Sequence, residues 1–463
     1  MPDTAQLTPP TQLSAPGYGH TPDPALRRAR TVLSLVFGPP AERTFDIHLW
    51  DGSMERGGAK PGADFAIHFR RRGALRRMLL PPSELSIAEA TISGDVEVVG
   101  NLENACGLGD AIGARIHTLG GAAVLIPKVM ALPRDDDPDV RTSQYVRHHG
   151  PLSTGSRRSE AGEIRFHYDV GNDFYALWLD PRMLYTCAYY RDADDSLANA
   201  QTAKLDHICR KLRLQPGETL LDVGCGWGGL VQYAVEQYGV KALGITLSAA
   251  QAGWAQRSIA SKGLGARCRV EEMDFRDLPA GARFHKISSV GVTEHVPQDQ
   301  QPAYFARVFE ALVPGGLFLN HCETSNLAAR RRDTLGRRVE RWLWKRDQFI
   351  DRYVFPDARL VPLGSIVTSA EGAGFETRDV EGLREHYTLT LRTWLRNLER
   401  RRDEAIALVG ERTYNVWRLY MSVSARGFDT GAINIVQTLL SKPTETGQSG
   451  LPLTRDDLYA RPA

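Results

Sequence analysis

Apolar and polar positions alternate in two rhythms along this chain. Near the N-terminus the period is two: Phe45-Asp46-Ile47-His48-Leu49-Trp50 alternates before an Asp51-Gly52 turn, and Phe65-Ala66-Ile67-His68-Phe69 repeats the pattern. That is the rhythm of half-buried strands. Residues 26–133 are therefore expected to form a small α+β unit, closing with helical segments between Leu102 and Leu132. Further along, short apolar runs alternate with longer helix-compatible segments. Strands are expected at Thr219–Val223, Lys241–Thr246, Arg269–Met273, Lys286–Val290 and Gly316–His321, with Pro314-Gly315-Gly316 turning into the last. Strand and helix in alternation predict a mostly parallel, doubly wound α/β sheet over residues 163–463. Residues 1–25, rich in Pro, Thr and Gly, are expected to be a disordered tail, and residues 134–162 a polar linker.

Composition narrows the function. With 463 residues the chain can hold two or three domains. Its 57 basic and 55 acidic residues leave a net charge of +2, a near-balance that does not indicate a dedicated nucleic-acid binder. Basic residues do cluster, at Arg70–Arg72, Arg330–Arg332, Arg337-Arg338 and Arg400–Arg402. Singly each reads as solvated surface, and together they permit docking on anionic lipid. Six cysteines are scattered without metal-ligand or disulfide spacing, which suits a reducing cytoplasm. The most apolar stretch, Leu119–Leu132, is too short to span a bilayer and contains Pro127 and Lys128. A protein that is soluble but meets membranes at their surface is expected.

The chemistry concentrates around Leu220-Leu221-Asp222-Val223-Gly224-Cys225-Gly226-Trp227-Gly228-Gly229. Glycines between a strand and a helix let backbone approach a bulky ligand. A nicotinamide site favours an acidic residue after the second strand. Here that strand ends in Thr246-Leu247-Ser248, with Gln251 beyond. The surroundings resemble the S-adenosylmethionine site of class I methyltransferases. His167-Tyr168-Asp169-Val170-Gly171-Asn172, Tyr185-Thr186-Cys187-Ala188-Tyr189-Tyr190, Gly291-Val292-Thr293-Glu294-His295 and Tyr353-Val354-Phe355-Pro356 flank the loop in order. In order and spacing these resemble the cyclopropane-fatty-acyl-phospholipid synthase family, which includes the mycolic acid cyclopropane synthases.

The resemblance implies S-adenosylmethionine-dependent methyl transfer to the double bond of unsaturated phospholipid acyl chains, closing a cyclopropane ring. It implies a helical cap over the acyl site at about residues 323–425, where Trp342, Trp344 and Phe349 could line one helix face. Cofactor-binding positions carried over are Tyr185, Thr186, Gly224, Gly226, Thr246, Leu247, Ser248, Gln251, Asp274 and Phe275. Catalytic positions are Cys187, Glu294, His321 and Tyr387, grouped in the family around a bicarbonate ion thought to act as base. Topology alone aims Glu294 and His321, after the fourth and fifth strands, at the crevice of the glycine loop. Cys187 also reads as a covalent nucleophile, though the resemblance favours a polar ligand, and Cys225 reads as a small packed side chain. Glu323 departs from the pattern, because a second carboxylate beside an anion is unfavourable. Either it replaces the bicarbonate as base or it faces away; the four matching positions favour the outward orientation. Val292-Thr293 and Pro297 are also atypical. Alternatives are a methylene- or methyl-branched product, a silent lipid-binding protein, and a small-molecule O- or N-methyltransferase. Expected partners are the lipid at the membrane surface and, as one arrangement, a second copy in a homodimer.

Overall fold

The computed structural model describes residues 23–58, 64–81, 83–109, 119–134, 170–326, 349–354 and 360–459. A helix over Pro24–Phe37 opens the N-terminal unit. Asp23 caps it by accepting from the Ala25 N–H at 2.9 Å, and Ala29, Val32, Leu33 and Val36 face inward. This start overlaps the tail expected over residues 1–25, because Asp23-Pro24 is itself a helix-start signal. Strands β1 (Asp46–His48), β2 (Met54–Glu55), β3 (Phe65–Phe69) and β4 (Val96–Gly100) pair in the order β2-β1-β3-β4. β1 is shorter than the alternation suggested, since Leu49–Gly52 already turns, with the Gly52 N–H on the Leu49 carbonyl. The expected linker over residues 134–162 and the motif His167–Asp169 lie outside the described residues, apart from Arg134.

The larger unit is a seven-stranded sheet. Its strands are β5 (Thr219–Val223), β6 (Lys241–Thr246), β7 (Cys268–Glu272), β8 (Phe284–Val290), β9 (Leu312–Ser325), β10 (Glu376–Gly382) and β11 (Ile433–Ser441). They lie in the order β10-β11-β9-β8-β5-β6-β7, with β11 antiparallel to both neighbours. One face buries Leu220, Ala242, Val270, Leu317 and Leu319 against the helices Leu197–Lys211, Gly229–Tyr238 and Ala249–Ser261. The other buries Leu221, Val223, Ile287 and Phe318 against the helices Gln301–Ala311 and Leu363–Gly372. The strand order reverses between β5 and β8, which leaves a crevice at their carboxyl ends.

β9 is longer than Gly316–His321. The Pro314-Gly315-Gly316 turn is absorbed as an irregularity in the β8–β9 ladder, and β11 pairs with β9 through Ser325. The cap expected over about 323–425 is correspondingly narrower. Glu323–Ser325 belong to β9, while the Leu363–Gly372 helix and β10 belong to the layered sheet. Two long helices, Arg384–Arg400 and Arg402–Asp429, stand beside the crevice, the second broken near its start by Gly410 at φ 79°. Trp342, Trp344 and the arginines of 330–338 lie outside the described residues; Phe349 is buried.

The N-terminal unit packs on these long helices. Asn415 Nδ2 donates to the Ile92 carbonyl at 3.3 Å and Arg418 to the Val98 carbonyl at 3.1 Å. Arg392 grips Glu103 with two bonds of 2.8 and 2.5 Å. Among the described residues, no helix is long and apolar enough to cross a membrane.

Candidate active site

One cavity at the carboxyl ends of β5, β6, β8 and β9 brings together thirteen of the fourteen positions singled out from the sequence. The exception is Ser248. Its hydroxyl accepts from the Gln251 N–H at 3.3 Å and caps the Ala249–Ser261 helix. A Ser directly before a helix is a cap signal, and that structural use accounts for its turning away.

The glycine loop owes its shape to backbone that other residues resist. Gly224, Gly226 and Gly228 have φ of 72°, 54° and 76°. A Cβ at Gly224 would lie 2.2 Å from Val292 Cγ2, so this loop and the turn after β8 touch through the missing side chain. At Gly226 none of the described residues stands within 4 Å of a Cβ, which leaves its backbone open to a ligand. Across the cavity the Thr246 hydroxyl donates to Gln251 Oε1 at 2.7 Å. Asp274 is held by Arg276 through Nε at 2.9 Å and a terminal nitrogen at 2.5 Å. Phe275 packs its ring edge-to-face with Tyr304 at 5.0 Å. Cys225 is buried and packs where Gly244 leaves room: a Cβ at Gly244 would meet its Sγ at 2.7 Å.

Glu294 sits on a single turn, Thr293–His295, anchored by the Thr293 hydroxyl on Asn320 Oδ1 at 2.6 Å. Its carboxylate accepts from the backbone N–H groups of Glu294 and Glu323, while Oε2 is buried without a hydrogen-bond partner among the described residues. Burial, then the Glu323 charge, pushes its pKa up to about 8. His321 is buried with Nδ1 3.3 Å from Gln437 Nε2, so Nδ1 accepts and Nε2 carries the proton. That Nε2 has no hydrogen-bond partner among the described residues. Burial depresses the imidazole pKa to about 3, so His321 is neutral. Burial raises the Cys187 thiol far above its usual range, with Sγ 3.3 Å from the Ala188 carbonyl and 3.8 Å from that of Leu383. A thiol held this way is no thiolate nucleophile. Tyr387 lies one helical turn beyond Leu383 and completes the cluster.

Glu323 does not face away. β9 sends Leu317, Leu319, His321 and Glu323 to one side and Phe318 and Cys322 to the other, so Glu323 shares the face of His321. Its carboxylate lines the cavity and accepts from the Tyr387 hydroxyl. Burial raises its pKa to about 7, and the Tyr387 bond pulls the other way.

Three further residues were missed. Lys204 is buried and donates from Nζ to the Thr186 hydroxyl at 2.7 Å; burial lowers its pKa to about 8. Asp222 is buried beside it, accepting from the Ser288 hydroxyl at 2.7 Å, its pKa pushed by burial to about 7. Tyr420 lines the cavity 3.4 Å from the Tyr185 hydroxyl. A Lys on the buried stripe Leu197-Ala200-Lys204-Ile208-Lys211, and an Asp inside an apolar strand, were legible signals. Behind Tyr185 stand Trp178, Trp394 and Trp417, with ring centroids 5.1–5.8 Å from it, so one wall is aromatic.

Comparison with known proteins bears on this geometry. A family model described as mycolic acid cyclopropane synthetase matches residues 155–438. A probable fatty acid methyltransferase of Pseudomonas putida is 38% identical over 425 residues, covering 91% of this chain and 98% of that protein. A cyclopropane mycolic acid synthase of Mycobacterium tuberculosis is 35% identical over 289 residues, 60% of this chain and 96% of that one. The solved structure of a cyclopropane synthase from Mycobacterium tuberculosis matches with a TM-score of 0.56 at 33% identity, over 60% of this chain and 97% of that chain. A mycolic acid cyclopropane synthase solved with SAH and CTAB gives 0.56 and 34%, with the same coverage.

Proposed function

Since this chain belongs to the mycolic acid cyclopropane synthetase family and is an S-adenosylmethionine-dependent methyltransferase of class I fold acting on lipid acyl chains, we propose that it alkylates the double bond of unsaturated phospholipid acyl chains at the membrane surface and closes a cyclopropane ring. The observation that carries this reading is one cavity. It joins the glycine loop to the cluster of Cys187, Glu294, His321, Glu323 and Tyr387 beside an aromatic wall.

An alkene is a weak nucleophile, and S-adenosylmethionine supplies an electrophilic methyl group on a positive sulfur. The chain's own residues must then place the alkene, exclude water and receive a proton. The open backbone at Gly226 admits the donor. Tyr185 and Tyr420, backed by Trp394 and Trp417, offer ring faces that suit both a hydrocarbon chain and a developing cation. Neutral His321 adds no positive charge to oppose that cation. Cytoplasmic residence with reversible attachment to the bilayer belongs to the same reading.

Purified protein given S-adenosylmethionine and vesicles of dioleoylphosphatidylglycerol should add one CH2 per alkylated chain by mass spectrometry. Proton NMR should show the high-field cyclopropane signals. Unmodified lipid would overturn the phospholipid reading. A product of the same mass without ring protons would support the second reading, a methylene branch. Relatives named probable fatty acid methyltransferases favour that second reading.

A further inference from the structure

The bicarbonate implied by the family resemblance does not fit this cavity. An anion beside Glu294 would face a second inward carboxylate, Glu323, on the same strand face as His321. The Glu323 backbone N–H, a donor such an anion would use, is already spent on the Glu294 carboxylate. The groups around Glu323 are Glu294 from the turn after β8, His321 on its own strand, Tyr387 from the Arg384–Arg400 helix, and Cys187 from the loop before the Leu197–Lys211 helix. Ile435, its register partner on β11, is apolar. None of these is a cation: His321 is neutral and Cys187 and Tyr387 are held protonated by burial. Lys204, a cation lining the same cavity, is already engaged by the Thr186 hydroxyl at 2.7 Å, and burial lowers its pKa to about 8, so a bicarbonate beside Glu294 and Glu323 would be a third negative charge set against one committed ammonium.

We propose that Glu323 is the base of this enzyme, built into β9 in place of a bound bicarbonate and oriented by the Tyr387 hydroxyl. The inference rests on acyl-chain alkylation as proposed above. The methyl carbon leaves sulfur, whose bonding pair stays behind to give the thioether. The alkene π pair forms the new carbon–carbon bond, and the neighbouring carbon becomes electron-deficient. A Glu323 carboxylate oxygen then takes a proton from the new methyl group, and the released C–H pair closes the ring. The proton stays on Glu323 until the product leaves and passes to water. Glu294 supports this division. Its Oε2 is buried with no hydrogen-bond partner among the described residues, whereas the Glu323 carboxylate accepts from the Tyr387 hydroxyl, so the shared proton sits on Glu294 and leaves Glu323 ionised. Tyr387 donates to that carboxylate and fixes its direction.

The test uses the full-length protein, vesicles of dioleoylphosphatidylglycerol and methyl-labelled S-adenosylmethionine, in buffer stripped of carbon dioxide and again with added bicarbonate. Wild-type rates should be equal in both. Glu323→Ile should lose about 10²–10⁴-fold in carbon-dioxide-free buffer and recover with bicarbonate, because the substitution opens space and removes the competing charge. Glu323→Gln, nearly isosteric, should lose activity by the same order and guards against misfolding of the isoleucine variant. A second readout needs no turnover: carbon-13 NMR of labelled bicarbonate should show binding to Glu323→Ile and none to wild type. A wild-type rate that falls on depletion, wild-type bicarbonate binding, or near-normal turnover of Glu323→Gln overturns the proposal. If no label enters the lipid at all, the substrate reading fails instead, and the binding measurement still decides the role of Glu323.

Discussion

The contact between Gly224 and Val292 makes the glycine loop testable by a mutant cycle. Gly224→Ala places a Cβ 2.2 Å from Val292 Cγ2 at a residue whose φ is 72°. The positive φ alone costs about 1–2 kcal/mol for a non-glycine residue. Clearing the overlap adds about 1–3 kcal/mol, because valine is stiff at χ1 and cannot rotate away cheaply. Gly226→Ala carries only the first cost, since none of the described residues stands within 4 Å of its Cβ. The two variants share the same gain from a less flexible unfolded chain, so their difference isolates the overlap. Gly224→Ala should therefore unfold more easily than Gly226→Ala by about 1–3 kcal/mol. For a unit of ordinary domain size that lowers the melting temperature by roughly 2–4 °C per kcal/mol. Val292→Ala removes the offending methyl. In that background Gly224→Ala should cost no more than Gly226→Ala, giving a coupling of about 1–3 kcal/mol. Thermal unfolding of the four combinations by calorimetry measures this directly. Strict additivity would show that the loop and the Glu294 turn do not meet as described.

Other outcomes follow from the same geometry. Gly226→Val puts a branched residue at φ 54° on the open side of the loop; S-adenosylmethionine affinity by titration calorimetry should fall at least about tenfold, or about 1.4 kcal/mol, and unchanged affinity would remove the loop from the binding site. Glu294 and Glu323 have folded pKa values raised above the ordinary 4.5, so their contribution to stability is complete below that value and is lost as pH rises through about 7 to 8. The wild-type melting temperature should accordingly drop between about pH 5 and pH 9 more than that of Glu323→Gln; parallel curves would argue against a buried pair. Lys204→Met deprives the Thr186 hydroxyl of a charged donor and should cost about 1–3 kcal/mol, read by denaturant unfolding, with no loss if the lysine is idle. Docking on lipid should need anionic vesicles and weaken with salt; equal sedimentation with neutral and anionic vesicles would contradict it.

The centre of the sheet was legible because β5 and β6 are largely apolar runs closed by glycine or a hydroxyl residue. β5 and β6 carry the bounds that the pattern suggests. β9 was not, because Pro314-Gly315-Gly316 signals a turn locally while the long β11 partner keeps the ladder going on either side. Glu294 and His321 could be aimed at the crevice from strand topology. Cys187 and Tyr387 could not, since a loop and a helix outside the sheet bring them in, and only the family resemblance named them. The orientation of Glu323 was available from the period of two, counted from Leu317 through Leu319 and His321. The weight given to matching ligands hid it. At Ser248 the hydroxyl expected at the cofactor is the one that caps the Ala249–Ser261 helix.

The junction between the N-terminal unit and the two long helices bears on how this enzyme can be cut down. The family model begins at residue 155, and the cyclopropane mycolic acid synthase matches only 60% of the chain, so residue 155 looks like a natural place to divide it. Mechanically it is not. The helices that present Tyr387 and Tyr420 to the cavity, and that set Trp394 and Trp417 behind Tyr185, are gripped from behind through Arg392, Asn415 and Arg418. The first third of the protein thus acts as a buttress for the acyl chamber. Preferences for chain length or double-bond position measured on a trimmed enzyme would describe a chamber that has lost its back wall.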